Sequence, residues 1–102
     1  MAQIRFAPFP PKDPDEKKDY SFDWSPEMDK TGDAITSSTW VVTGTGLTTS
    51  ISPAPTFDDK TTTVWFEAGT ALTDYVVVNR IVTTQGRTHE ASAVLPCKSA
   101  GV

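Results

Sequence analysis

The chain has very little of the material from which reactive sites are usually built. Cys97 is its only cysteine and His89 its only histidine. A single cysteine excludes an intrachain disulfide and suits folding under reducing conditions. One histidine, with Cys97 eight residues further on, gives no zinc-ligand spacing. There is no Gly-x-Ser-x-Gly nucleophile elbow and no phosphate-cradling glycine loop. The acidic run around Asp13, Asp15, Glu16, Asp19 and Asp23 lacks the glycine and closing glutamate of an EF-hand, so it reads as a solvated edge. Basic charge is also scarce. Nine Lys and Arg stand against thirteen Asp and Glu, for a net charge of −4. With no basic stripe to neutralise phosphates, no nucleic-acid partner is expected. No run approaches the roughly 18 apolar residues of a membrane-spanning helix. Met1–Arg5 is not the start of a hydrophobic leader, and Pro8, Pro10 and Pro11 follow at once, so no signal peptide is expected. Neither a cofactor, a metal nor a catalytic residue is expected.

What the chain does have is threonine, its commonest residue, with eight prolines and six glycines to punctuate it. Branched side chains favour a pleated surface over a helix. Length sets one domain. Tyr20, Phe22 and Trp24 alternate with Asp19, Ser21 and Asp23, the pattern of a half-buried strand. Ser25-Pro26-Glu27 suits a single helical turn capped by Ser25 and ended at Gly32. A strand over 34–43 carries Trp40 and Val42 on one face, while Ile35 has the opposite parity, which implies a bulge or a place outside the ladder. Further strands follow at 47–51 and 61–66, then a long one at 75–84, a turn at Gln85-Gly86, and a closing strand at 87–95. Short strands at such intervals predict an all-β fold: an immunoglobulin- or fibronectin-III-like β-sandwich of six to seven antiparallel strands.

Three parts are expected: an extended Pro-rich arm at 1–16, the sandwich at 17–96 and a flexible tail at 97–102. Proline fixes φ and removes backbone donors, so the arm should be extended. Its Ile4, Phe6 and Phe9 need a surface, either on their own domain or on a neighbouring subunit.

The corner at 68–75 ends in Tyr75 and resembles a tyrosine corner, in which a tyrosine at the start of the penultimate strand bonds to upstream backbone. The long strand is apolar on both faces. Tyr75, Val77, Asn79 and Ile81 lie on one, Val76, Val78, Arg80 and Val82 on the other. A sandwich strand needs one buried face, so the second should also be covered. Which parity points inward is open. Asn79, the only asparagine, is either a buried amide with partners at both ends or the site of a bulge. His89 reads as a solvent-facing strand residue. Trp24, Trp40 and Trp65 could stack on sugars if exposed, which leaves open a carbohydrate- or receptor-binding module.

Three separated blocks resemble a family of small tailed-bacteriophage virion proteins described as fiber-tail adaptors with an immunoglobulin-like fold. They are Pro10-Pro11-Lys12-Asp13-Pro14-Asp15-Glu16 with Asp19-Tyr20 and Asp23-Trp24, then the stretch 32–40, then 79–88. The likeness runs from about Phe9 to Leu95; Pro96–Val102, with Cys97, falls outside it. The resemblance implies a non-enzymatic virion structural protein, assembled in the host cytoplasm and repeated in a symmetric assembly. Its partners would be other virion proteins of the tail, neck or fiber, with neither nucleic acid nor membrane involved. A capsid decoration protein is the alternative within the virion. The expected contacts are Ile4, Phe6 and Phe9 on the arm and Val76, Val78, Arg80 and Val82 on the long strand.

Overall fold

The computed structural model describes residues 4–5, 9, 12–13, 16–50 and 54–98. The elements are β1 (Ile4–Arg5), β2 (Lys18–Asp23), α1 (Ser25–Thr31), β3 (Ile35–Thr43), β4 (Leu47–Thr49), β5 (Thr56–Phe57), β6 (Thr61–Ala68), β7 (Thr73–Thr83) and β8 (Thr88–Cys97). They form two facing sheets. One runs β1-β8-β7-β3, and the other β2-β6-β4 with β5 also on β6. In immunoglobulin order these are the last, penultimate and third strands against the second, fifth and fourth, which is the all-β sandwich that the strand spacing predicts. All neighbours are antiparallel except β1, which lies parallel along β8.

Alternation decides which side chains enter the core. Tyr20 and Phe22 on β2, Val64 and Phe66 on β6, and Tyr75, Val77 and Ile81 on β7 are all buried. The register shift in β3 falls between Ile35 and Ser37. This bulge lets Ile35 be buried although its parity differs from that of Trp40. Asn79 is not bulged; it sits opposite Trp40 and Ala91 in unbroken ladders.

The helical segment is longer than a single turn. α1 has seven residues, Trp24 takes the cap position in place of Ser25, and Gly32 closes the helix at φ 65°. Asp23 Oδ1 accepts the N–H of Ser25 at 2.9 Å. Trp24 and Met28, four residues apart on one side, are both fully buried. That shared burial supplies what so short a helix lacks in isolation.

The end of the chain is ordered further than the expected tail boundary. Cys97 belongs to β8 and is fully buried, so it is no loose terminal thiol. Lys12 bridges to it, and the N–H of Lys98 donates to Lys12 O at 2.8 Å. Phe9 joins the same strap, donating its N–H to Val94 O at 2.9 Å. Its ring packs 4.8 Å from Tyr20 and 5.3 Å from Phe22, centroid to centroid.

Candidate functional site: an outward sheet face, a clamped corner and an open edge

The β3-β7-β8 sheet settles the parity of the long strand. Tyr75, Val77, Asn79 and Ile81 point into the core, so Val76, Val78, Arg80 and Val82 share the outer face. Register places Val94, Ser92, Glu90 and Thr88 of β8 beside them in that order. On the other side stand Thr43, Val41, Thr39 and Ser37 of β3. Val41 is 62% exposed, Val76 40% and Val94 38%. With half-buried Val78 they make an apolar patch on one half of the face. At its border Arg80 grips Glu90 across the strands, with Nη2 and Nε 2.7 and 2.8 Å from Oε2. Such an exposed pair is worth about 0–1 kcal/mol, so it fixes side-chain position more than it stabilises the fold.

The four β7 residues singled out from the sequence are therefore brought together, with Val41 and Val94 added. Alternation already held the clue to Val41, since it must oppose Trp40; pairing across strands, which no local pattern reveals, was needed for Val94. The arm residues are divided. Ile4 enters β1 beside Ala91. Phe6 lies outside the described residues. Phe9 takes a place on its own domain, against both halves of the core.

The β6–β7 corner is held from two directions. Tyr75 Oη accepts the N–H of Thr70 at 2.8 Å and donates to Thr45 O at 2.6 Å. This is the tyrosine-corner arrangement, extended to the β3–β4 loop. A Cβ on Gly46 would stand 2.7 Å from Thr70 Oγ1, so glycine is required there. Buried Lys12 donates its Nζ to Ala68 O at 2.6 Å. Ala68 and Leu72 both hold positive φ, 61° and 60°. Burial pushes the nearby Cys97 thiol up, and Lys12 offsets this only in part. A thiol held protonated is a poor nucleophile.

At the opposite end Asp33 ties the loop after α1 to the β7–β8 hairpin. Its Oδ1 accepts from Thr84 Oγ1 at 2.6 Å, Ala34 N at 3.1 Å and Gln85 N at 3.2 Å. Oδ2 meets Arg87 Nη1 at 3.1 Å. Burial alone would raise this carboxyl, but donors from Thr83, Thr84, Ala34 and Arg87 outweigh it and hold it well below the usual carboxylate range.

His89 is not solvent-facing. It stands opposite the inward Ile81, half-buried, with its ring 6.3 Å from that of Trp24. Trp24 is fully buried and Trp40 and Trp65 are half-buried, so the sugar-stacking reading loses its first platform outright. Among the described residues no three His, Cys, Asp or Glu side chains gather as a metal set.

The last feature is an open side. β3 and β4 are edges of opposite sheets, and between them lies a groove of about 330 Å³ lined by Trp40, Val42, Leu47, Thr48 and Thr49. Among the described residues the buried Nε1–H of Trp40 has no hydrogen-bond partner.

The two facing sheets place the chain in the class of immunoglobulin-like β-sandwich modules. The chain belongs to the podophage GP4 fiber-tail adaptor protein gp77 family, whose sequence pattern matches residues 12–96. No curated protein matches it. Membership makes it a phage fiber-tail adaptor, a structural protein of the virion that binds other tail components.

Proposed function

We propose that the chain joins virion components without catalysing any reaction, using the outer face of the β3-β7-β8 sheet together with the arm before Phe9. The observation that carries this is the outward patch of Val41, Val76 and Val94, exposed by 62%, 40% and 38% on one sheet face. Apolar side chains gathered on one face, beside a charged pair, are the ordinary make-up of a protein contact with a polar rim. Arg80 and Glu90 form that rim, and Val78 and Val82 continue the face along β7. The chain needs no cofactor and engages neither nucleic acid nor membrane. It folds in the host cytoplasm and enters the particle as repeated copies around the tail axis.

The test is incorporation into purified particles. A Val41→Asp, Val94→Asp double variant keeps its fold, because both side chains already face water and are not cross-strand partners, and is taken up about tenfold less than the parent, since an unpaired charge buried in an interface is costly. Uptake at the parent level overturns the outer-face reading. Copy number checks the symmetry: about six to twelve copies per particle fit a tail ring, and hundreds fit a capsid.

A further inference from the structure

The edges of the two sheets are managed unequally. The outer edge of β8 is covered by the arm, through β1 and the Lys12–Cys97 bridge. β2 carries Lys18, Asp19 and Asp23. β4 and β5 have only three and two residues. Charge, cover and shortness are the usual defences against pairing with a foreign strand. Among the described residues β3 has none of them from Ser37 to Thr43. It has nine residues with no charge and no proline, ends its sheet, and runs in regular register from Ser37 to Thr43. The groove lined by Trp40 and Val42 opens beside this strand.

We propose that β3 is a strand-docking edge, which accepts an extended, uncharged segment of another tail protein. That segment pairs with Ser37–Thr43 and inserts an apolar side chain between the sheets. Backbone pairing supplies affinity, and the groove supplies selectivity by alternate side chains. Charge argues the chemistry of the occupant. The five described residues that line the groove are all uncharged, so a charged side chain would lose its hydration against them with nothing to replace it. A second copy of this chain does not suit the site. The inward residues of its own β3, Trp40 and Val42, already pack on its own core and have no side chain to spare. The inference rests on family membership and not on the outer-face contact.

Hydrogen exchange on the full chain, free in solution and in purified particles, tests it. The amides of 37–43 exchange at least about tenfold more slowly in particles, because an added strand protects them. Equal rates in the two states overturn the proposal, as does full protection in the free chain, which would mean that a segment of the chain itself covers the edge. Dimerisation of the free chain through β3 also overturns it. Val42→Lys places an amine in the groove and lowers incorporation by about tenfold. Thr49→Arg, at an exposed groove position outside the core, does the same if the first variant fails to fold. If Val41→Asp with Val94→Asp blocks incorporation while Val42→Lys and Thr49→Arg do not, strand docking is wrong and the outer-face contact stands.

Discussion

The indole N–H of Trp24 donates to the side-chain oxygen of Asn79 at 3.0 Å, tying the residue before α1 to the middle of β7 on the facing sheet. Thr62 donates to the same oxygen at 2.7 Å. The amide nitrogen of Asn79 donates to Ser38 Oγ and Thr39 O, both at 2.9 Å. One fully buried amide thus joins β3, β6, β7 and the segment entering the helix.

Replacing it should cost far more than a methyl group's worth of packing. Asn79→Leu keeps the branched shape but takes the acceptor from the Thr62 hydroxyl and leaves the Trp24 indole only its 3.2 Å bond to Thr62 Oγ1; it destabilises by about 2–4 kcal/mol in urea unfolding. Trp24→Phe removes one donor and costs about 1–3 kcal/mol, and the two changes together cost less than their sum because they share a bond.

This amide also marks where the sequence stops being legible. Strand positions and turns are written locally, in alternation and in glycine and proline, and they were readable. Whether Asn79 was a buried hub or a bulge was not, because β7 is apolar on both faces and parity there is decided by the opposite sheet. The same uncertainty hid His89, whose inward position follows only from its pairing with Ile81. It hid Cys97 too, which is buried because the arm returns to cover β8, a contact between residues some 85 positions apart (Lys12 and Cys97). The outer face was half legible: Val76, Val78, Arg80 and Val82 shared a parity in the sequence, but Val94 joined them only through register.

Asp33 gives the acid dependence a direction. Its folded pKa is depressed, so its contribution is fully present above the ordinary carboxylate value of about 3.9 and is lost as pH falls toward the folded value. The unfolded chain takes up the proton first, so stability rises with pH across that window. Asp33→Asn should flatten the slope of urea midpoint against pH below about pH 4. An unchanged slope would assign acid sensitivity to other carboxylates.

Tyr75→Phe removes both corner hydrogen bonds while keeping the ring. It should destabilise by about 1–2 kcal/mol, with the Thr70 amide exchanging faster than in the parent. If only global stability falls and Thr70 keeps its relative protection, the corner is held by packing alone.

The Cys97 thiol should be inert to a water-soluble disulfide reagent in the folded chain. Burial and a raised pKa suppress both access and thiolate. Labelling is expected at least about a hundredfold slower than in denaturant. Prompt labelling of the native protein would show that the arm opens readily over β8.

The parallel run of the arm along β8 has a mechanical consequence. The arm passes Ala91 at β1 and reaches Cys97 at Lys12, travelling in the same direction as the strand that it covers. A pull that enters through the start of the arm and leaves past Lys98 therefore slides two neighbouring strands along each other. The bonds from Phe9 to Val94, from Lys12 to Pro96 and from Lys98 to Lys12 then carry the load together instead of opening one by one. The seam between the arm and β8 therefore meets such a pull in shear.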